Sequence, residues 1–180
     1  MDTNKKTIFI LGGCRSGKSR HALDLADEMG AREKVFIATC VPRDDEMLQR
    51  VSNHQQERGP DWKTVEAPVH LPQAVIENSR SDNLVLADCL TLWISNVMLD
   101  ADSSQHHMDD EIQQLIAALN TAAGPVLLVS NEVGTGIVPE NKLARQYRDI
   151  VGSVNQAVAE CADDVKWVVA GIPVTIKGKT

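Results

Sequence analysis

The stretch Thr7 to Ser19, TIFILGGCRSGKS, constrains this chain more than any other. A run of β-branched and apolar residues ends in a glycine-rich turn. Gly12, four residues, then Gly17, Lys18 and Ser19 complete the phosphate-loop spacing. Glycines at 12, 13 and 17 let successive backbone N–H groups, those of Cys14, Arg15 and Ser16 among them, turn inward on a phosphate with no Cβ in the way. The helix that follows offers its positive dipole end, Lys18 is expected to reach the β- and γ-phosphates, and the Ser19 hydroxyl to sit on Mg²⁺. The spacing carries this meaning only between a strand and a helix. Ile8 to Leu11 reads as a buried strand, and Ala22, Leu25, Ala26 and Met29 recur at helical spacing before Gly30.

The rest of the composition narrows the class. At 180 residues, 43% hydrophobic, the chain is expected to form one nucleotide-binding domain over 1–180. The net charge of −7 and the lack of a basic stripe argue against a nucleic-acid groove. Cys14, Cys40, Cys89 and Cys161 form no C-x-x-C pair, which removes the usual zinc and dithiol readings. No apolar stretch approaches the ~18 residues of a membrane span. The apolar run after Lys5 and Lys6 is too short for a typical export signal, so an unprocessed cytoplasmic protein is expected.

Strands are expected at Lys34–Thr39, Trp62–Glu66, Asn83–Asp88, Pro125–Ser130, Val165–Ala170 and Val174–Lys177, the last two as a hairpin bent at Pro173. Helices are expected at about Asp44–Glu57, Leu71–Glu77, Thr91–Leu99, Met108–Ala123, Glu140–Tyr147 and Asp149–Cys161. Alternating strands and helices predict a mostly parallel α/β sheet with a short antiparallel C-terminal edge and ligands at the carboxyl ends of its strands. Cys40, Asp88 and the segment Asn131 to Gly136 then gather at the edge that carries the phosphate loop. Asp88 ends a strand in the manner of a Walker-B aspartate and is expected to contact the magnesium shell. The residues alone leave kinase, nucleotidyl transferase, motor ATPase and switch protein open.

Beyond the loop, GGCRSGKSRHA, IAT followed by DDEM, RVSNHQQERGPDWKTVE, LADCLTLWISN and SNEVGTGIVPENKLARQYRDIVGSVNQ resemble the bifunctional adenosylcobinamide kinase and adenosylcobinamide-phosphate guanylyltransferase family. The blocks span Phe9 to Gln156. The resemblance implies a RecA-like P-loop NTPase fold and two reactions of cobalamin biosynthesis. The first is NTP-dependent phosphorylation of the aminopropanol hydroxyl of adenosylcobinamide. The second is transfer of GMP from GTP onto adenosylcobinamide phosphate with release of pyrophosphate. GTP and ATP are the implied substrates, Mg²⁺ the implied cofactor and a homotrimer the implied assembly.

In that family the guanylyl group rides on a histidine in an R-x-x-x-H segment, here Arg50 to His54. On its own, His54 shares a helix face with Met47 and Val51 and reads as a core histidine. The resemblance makes it the nucleophile, a role that suits an imidazole with an unperturbed pKa near ~6.5. Many relatives carry two adjacent histidines here, and this chain has Asn53-His54. The resemblance also assigns nucleotide contacts to Ala38, Thr39, Cys40, Gln55, Gln56 and Glu57, and contact with the guanosine portion to Glu66. It includes Asn131, Glu132, Arg145, Arg148 and Asp149 without fixing their roles. His21, His70, His106 and His107 read as surface residues. Because a phosphate loop grips β- and γ-phosphates while guanylylation needs attack at α, the Asp44–Glu57 helix is expected to move between the half-reactions.

Overall fold

The computed structural model describes residues 5–42, 44–99 and 105–178, without the side chains of Glu46, Arg50, Asn53, His54, Glu57, Gln105, His106 and His107. In chain order the elements are β1 (Thr7–Gly12), α1 (Lys18–Glu28), β2 (Glu33–Ala38), α2 (Asp45–Glu57), β3 (Trp62–Glu66), α3 (Leu71–Asn78) and β4 (Asn83–Asp88). They continue as α4 (Leu90–Leu99), α5 (Gln105–Thr121), β5 (Val126–Asn131), α6 (Lys142–Cys161), β6 (Asp164–Val169) and β7 (Ile172–Lys177). One sheet runs β3-β2-β4-β5-β1-β6-β7, parallel except for β7, which pairs antiparallel with β6.

The central strands are apolar almost throughout because both of their faces are buried. In β1, Phe9 and Leu11 face one core and Ile8 and Ile10 the other. In β4 and β5 the alternation repeats as Val85/Ala87 against Leu84/Leu86, and Val126/Leu128 against Leu127/Val129. The first core is roofed by α3, α4, α5 and α6, with Trp93 and Leu115 fully buried. The second is roofed by Ala22 and Ala26 of α1, small residues that bring the helix close to the strands. Among its described side chains α2 adds none to either core, and Leu48 is exposed. Its N-terminus is capped by Asp44, whose carboxylate accepts from Met47 N at 2.8 Å.

Two expectations are corrected. The helices expected at Glu140–Tyr147 and Asp149–Cys161 are one element, α6, capped by Asn141, whose Oδ1 accepts from Ala144 N at 3.0 Å. The polar run through Arg145 and Arg148 is helix whose side chains reach a neighbouring loop. The hairpin turns at Ala170 and Gly171, with φ of 51° and 81°, the paired left-handed geometry that matches strand twist. Pro173 lies inside β7 opposite Val168, where an edge strand tolerates the missing N–H.

Candidate active site

Gly12 closes β1, and a Cβ there would lie 2.4 Å from Ser16 Oγ and 2.7 Å from the Val168 carbonyl oxygen, so the position admits glycine alone. Arg15 and Gly17 take left-handed φ values of 54° and 90°, which turns the loop back over the start of α1. Ser16 N donates to Gly13 O at 3.3 Å, and Lys18 Nζ donates to the same carbonyl at 3.2 Å. Lys18 is only 8% exposed, so its ammonium is held inside the loop. Ser16 Oγ is also enclosed, with no partner among the described residues. Such a curl of amides around a lysine and an unsatisfied hydroxyl suits a phosphate. From outside, the hairpin turn seals the loop: Gly171 N donates to Ser16 O at 2.8 Å, and a Cβ on Gly17 would come within 3.2 Å of Gly171 Cα.

Next along the carboxyl edge, Ala38 lies in register with both Asp88 and Glu66, so the ends of β2, β4 and β3 stand side by side. Thr39, fully buried, uses its hydroxyl twice: Oγ1 donates to Cys89 O at 2.8 Å and accepts from Cys89 N at 2.9 Å. Asn96 of α4 adds a further tie, its Nδ2 donating to Thr39 O at 2.8 Å and to Pro68 O at 3.0 Å. The Thr39 side chain therefore fixes the backbone just past Asp88. Burial pushes the Cys89 thiol up to about 11, helped by the Asp88 carboxylate and opposed in part by Lys18. Both charges thus act on the same buried thiol. Burial, then Asp88, also raises the thiol of Cys40.

Arg58 is a site residue that the helix-breaking Arg-Gly-Pro sequence conceals. It caps the C-terminus of α2, is 8% exposed, and lays its guanidinium 3.5 Å from the centre of the Phe36 ring. Burial lowers its pKa and the Asp88 carboxylate raises it, and the stacked cation anchors the end of α2 on Phe36.

Between the phosphate loop and the strand that ends in Asp88, Asn131, the last residue of β5, is in register with Gly12. Its Nδ2 donates to Thr91 Oγ1 at 3.3 Å, and its Oδ1 is buried with no partner among the described residues. Ser130 Oγ and Asn155 Oδ1 are 2.7 Å apart, and Asn155 Nδ2 donates to Asn131 O at 3.2 Å, so α6 fixes this strand end. Glu132 N donates to Gly12 O at 3.2 Å, and the chain then leaves the sheet as a loop braced by Arg145 and Arg148.

The phosphate loop, Ala38 to Cys40, Glu66, Asp88 and the segment from Asn131 therefore share the carboxyl edge. Gln55 and Gln56 are exposed on α2, while the side chains of His54 and Glu57 fall outside the described set, as do those of His106 and His107. His70 is exposed as expected. His21 corrects the surface reading: it is partly buried, its Nε2 has no partner among the described residues, and burial followed by Lys166 lowers its pKa. Ser19 and Asp88 offer hard oxygen donors. No group of three His, Cys, Asp or Glu forms a cage among the described residues. That donor set suits Mg²⁺, which keeps waters and phosphate oxygens in its shell. Among the described residues no helix is long and apolar enough to cross a membrane.

Comparison with known proteins agrees with this geometry. The RadB recombinase superposes with a TM-score of 0.51 at 13% identity, covering 91% of this chain and 74% of that one. The flagellar accessory protein FlaH of Methanocaldococcus jannaschii gives 0.54 at 15% identity, covering 98% and 80%. At such identities the likeness is one of fold, the RecA-like phosphate-loop NTPase fold. The bifunctional adenosylcobalamin biosynthesis protein CobU of Salmonella typhimurium is 42% identical, covering 94% of this chain and 99% of the relative. The bifunctional protein CobP of Pseudomonas aeruginosa is 41% identical, covering 95% and 97%. The model of the cobinamide kinase / cobinamide phosphate guanyltransferase family matches residues 8–176, and the chain belongs to that family.

Proposed function

We propose that this chain phosphorylates adenosylcobinamide and then transfers GMP from GTP onto the new phosphate, with His54 carrying the guanylyl group between the two substrates. The observation that carries the reading is the convergence of the Gly12–Ser19 cradle, Asp88 and the α2 anchor Arg58 on one sheet edge, in a chain of this family. In the kinase step the aminopropanol oxygen attacks the γ-phosphorus of ATP or GTP, its proton is lost and the nucleoside diphosphate leaves. In the transferase step an imidazole nitrogen of His54 attacks the α-phosphorus of GTP, the bond to the bridging oxygen breaks and pyrophosphate leaves. An oxygen of adenosylcobinamide phosphate then attacks the same phosphorus and breaks the P–N bond, regenerating neutral His54.

Lys18 and the loop amides hold the outgoing phosphates, and Glu66, in register with Ala38, together with the exposed Gln55 and Gln56 of α2, would contact the nucleoside. Ser19 and Asp88 would hold Mg²⁺, which neutralises charge developing on the phosphates. Because γ and α lie at different depths in one cradle, α2 moves between the steps, turning about Arg58. Its lack of a buried described side chain makes that motion inexpensive. The chain works in the cytoplasm as a homotrimer, without nucleic acid.

Incubation with α-³²P-GTP and Mg²⁺, followed by denaturing electrophoresis with acid and alkali washes, tests the central step. The expected result is an alkali-stable, acid-labile label on the wild type and none on His54→Ala. A wild type that binds GTP yet takes up no label would leave a single-function phosphate-loop kinase.

A further inference from the structure

The loop between β5 and α6 is open to solvent yet fixed from both ends. At its start Glu132 N is tied to Gly12 O, and the Glu132 carboxylate accepts from Gly134 N. From α6, Arg148 donates to Gly134 O, and Arg145 Nη1 donates to Pro139 O at 3.0 Å and to Glu140 O. Tyr147 OH donates to Thr91 O at 3.0 Å and holds the base of α6 against α4. These arginines hold the carbonyls of Gly134, Pro139 and Glu140, and Val133 packs the start of the loop against the core. It nevertheless presents Ile137, 96% exposed, beside Val138, 63% exposed, with Leu143 at the first turn of α6 also exposed.

Two branched apolar side chains on a loop braced on both sides of them, next to a phosphate cradle, are placed to meet a ligand. The position selects which one. Asn131 is in register with Gly12, so the loop rises directly beside the phosphate loop, on the side away from the β6–β7 turn. Nucleotide phosphates fill the cradle, and the other substrate must bring a hydroxyl or phosphate to the same place. In cobinamide that group ends a short arm on a large, flat, methyl-rich corrin ring, which needs an apolar rest within an arm's length of the cradle.

We infer that the braced loop at Ile137 and Val138 is the docking platform for the corrin ring, and that Arg145 and Arg148 act as positioning residues by holding its carbonyls. The inference rests on the proposed cobinamide reaction and extends it to a recognition surface. The corrin edge lies on Ile137 and Val138, and its arm reaches across Glu132 toward Lys18.

The test is steady-state kinetics of the full chain with GTP, Mg²⁺ and adenosylcobinamide, comparing wild type, Ile137→Leu and the double variant Ile137→Ser/Val138→Ser. Both side chains are exposed, so the variants fold. The double variant is expected to raise KM for adenosylcobinamide by about tenfold or more, the scale of losing two apolar contacts. KM for GTP and α-³²P-GTP labelling should stay within about twofold, and Ile137→Leu should keep the wild-type KM for adenosylcobinamide. An adenosylcobinamide KM within twofold of wild type overturns the platform, as does an equal rise in both KM values. A change in sedimentation of the double variant also overturns it, by assigning the surface to a second copy of the chain. A wild type that shows no cobinamide-dependent turnover refutes the proposed function itself, and no variant is needed to see it.

Discussion

Replacing Thr39 with valine should cost more stability than its conservative appearance suggests. The hydroxyl is fully buried and satisfies both backbone groups of Cys89, at 2.8 and 2.9 Å. Valine keeps the shape and leaves a carbonyl and an N–H unpaired in a dry site, each worth about 1–3 kcal/mol. Part is returned because the hydroxyl itself no longer needs to be desolvated, which brings the expected loss to about 3 kcal/mol. For a chain of this length that lowers Tm by about 6–12 °C. Thr39→Ser keeps the hydroxyl and loses one methyl, for about 1 kcal/mol. Urea unfolding and calorimetry on the two variants separate hydrogen bonding from packing. A valine variant as stable as the serine variant would refute the assignment of Thr39 as the clamp behind Asp88.

Other outcomes follow from single contacts. Gly12→Ala places a Cβ 2.4 Å from Ser16 Oγ and 2.7 Å from Val168 O, and should weaken GTP binding by more than about tenfold in equilibrium dialysis; wild-type affinity would mean that the cradle does not hold the nucleotide. Cys89, raised to about 11 by burial, stays protonated in the fold above its ordinary value of 9.0 while the unfolded chain ionises. Stability should therefore be full below pH 9 and fall by about 3 kcal/mol between pH 9 and 11; urea midpoints at pH 8 and 10.5 that fall equally in wild type and Cys89→Ala would assign the loss elsewhere. Arg58→Met removes the cation from the Phe36 face and should cost about 1 kcal/mol while speeding amide exchange across α2; unchanged exchange in α2 would deny Arg58 its anchoring role.

What could be read from the sequence divides along a physical line. The strands β1, β4 and β5 were legible because both faces are buried, and the phosphate loop because its geometry is set by residues within eight positions of one another. The continuity of α6 was not. Its polar stretch looks like a break until Arg145 and Arg148 are seen to serve a loop, Arg148 bonding a carbonyl 14 residues away. Proline at 173 was a plausible bend, whereas the turn rests on Ala170 and Gly171, whose left-handed φ carries little signature when the first residue is alanine. The role of Thr39 in the fold was not legible either, since only the 50-residue reach to Cys89 shows what its hydroxyl bonds.

These unread contacts share a property that bears on the chemistry. The buried ties Thr39–Cys89 and Ser130–Asn155, with the Gly171–Ser16 bond from the hairpin turn, fix the strand ends and the cradle. The helix proposed to bring His54 to the α-phosphorus is attached through Arg58 at one end and capped by Asp44 at the other. Two chemistries at one phosphate cradle require one part to stay still and another to travel. A cradle locked by polar contacts, beside a helix none of whose described side chains joins either core, meets that requirement: the described part of α2 is held by a few half-exposed side chains, whereas moving Asp88 would strand buried backbone groups at about 1–3 kcal/mol each.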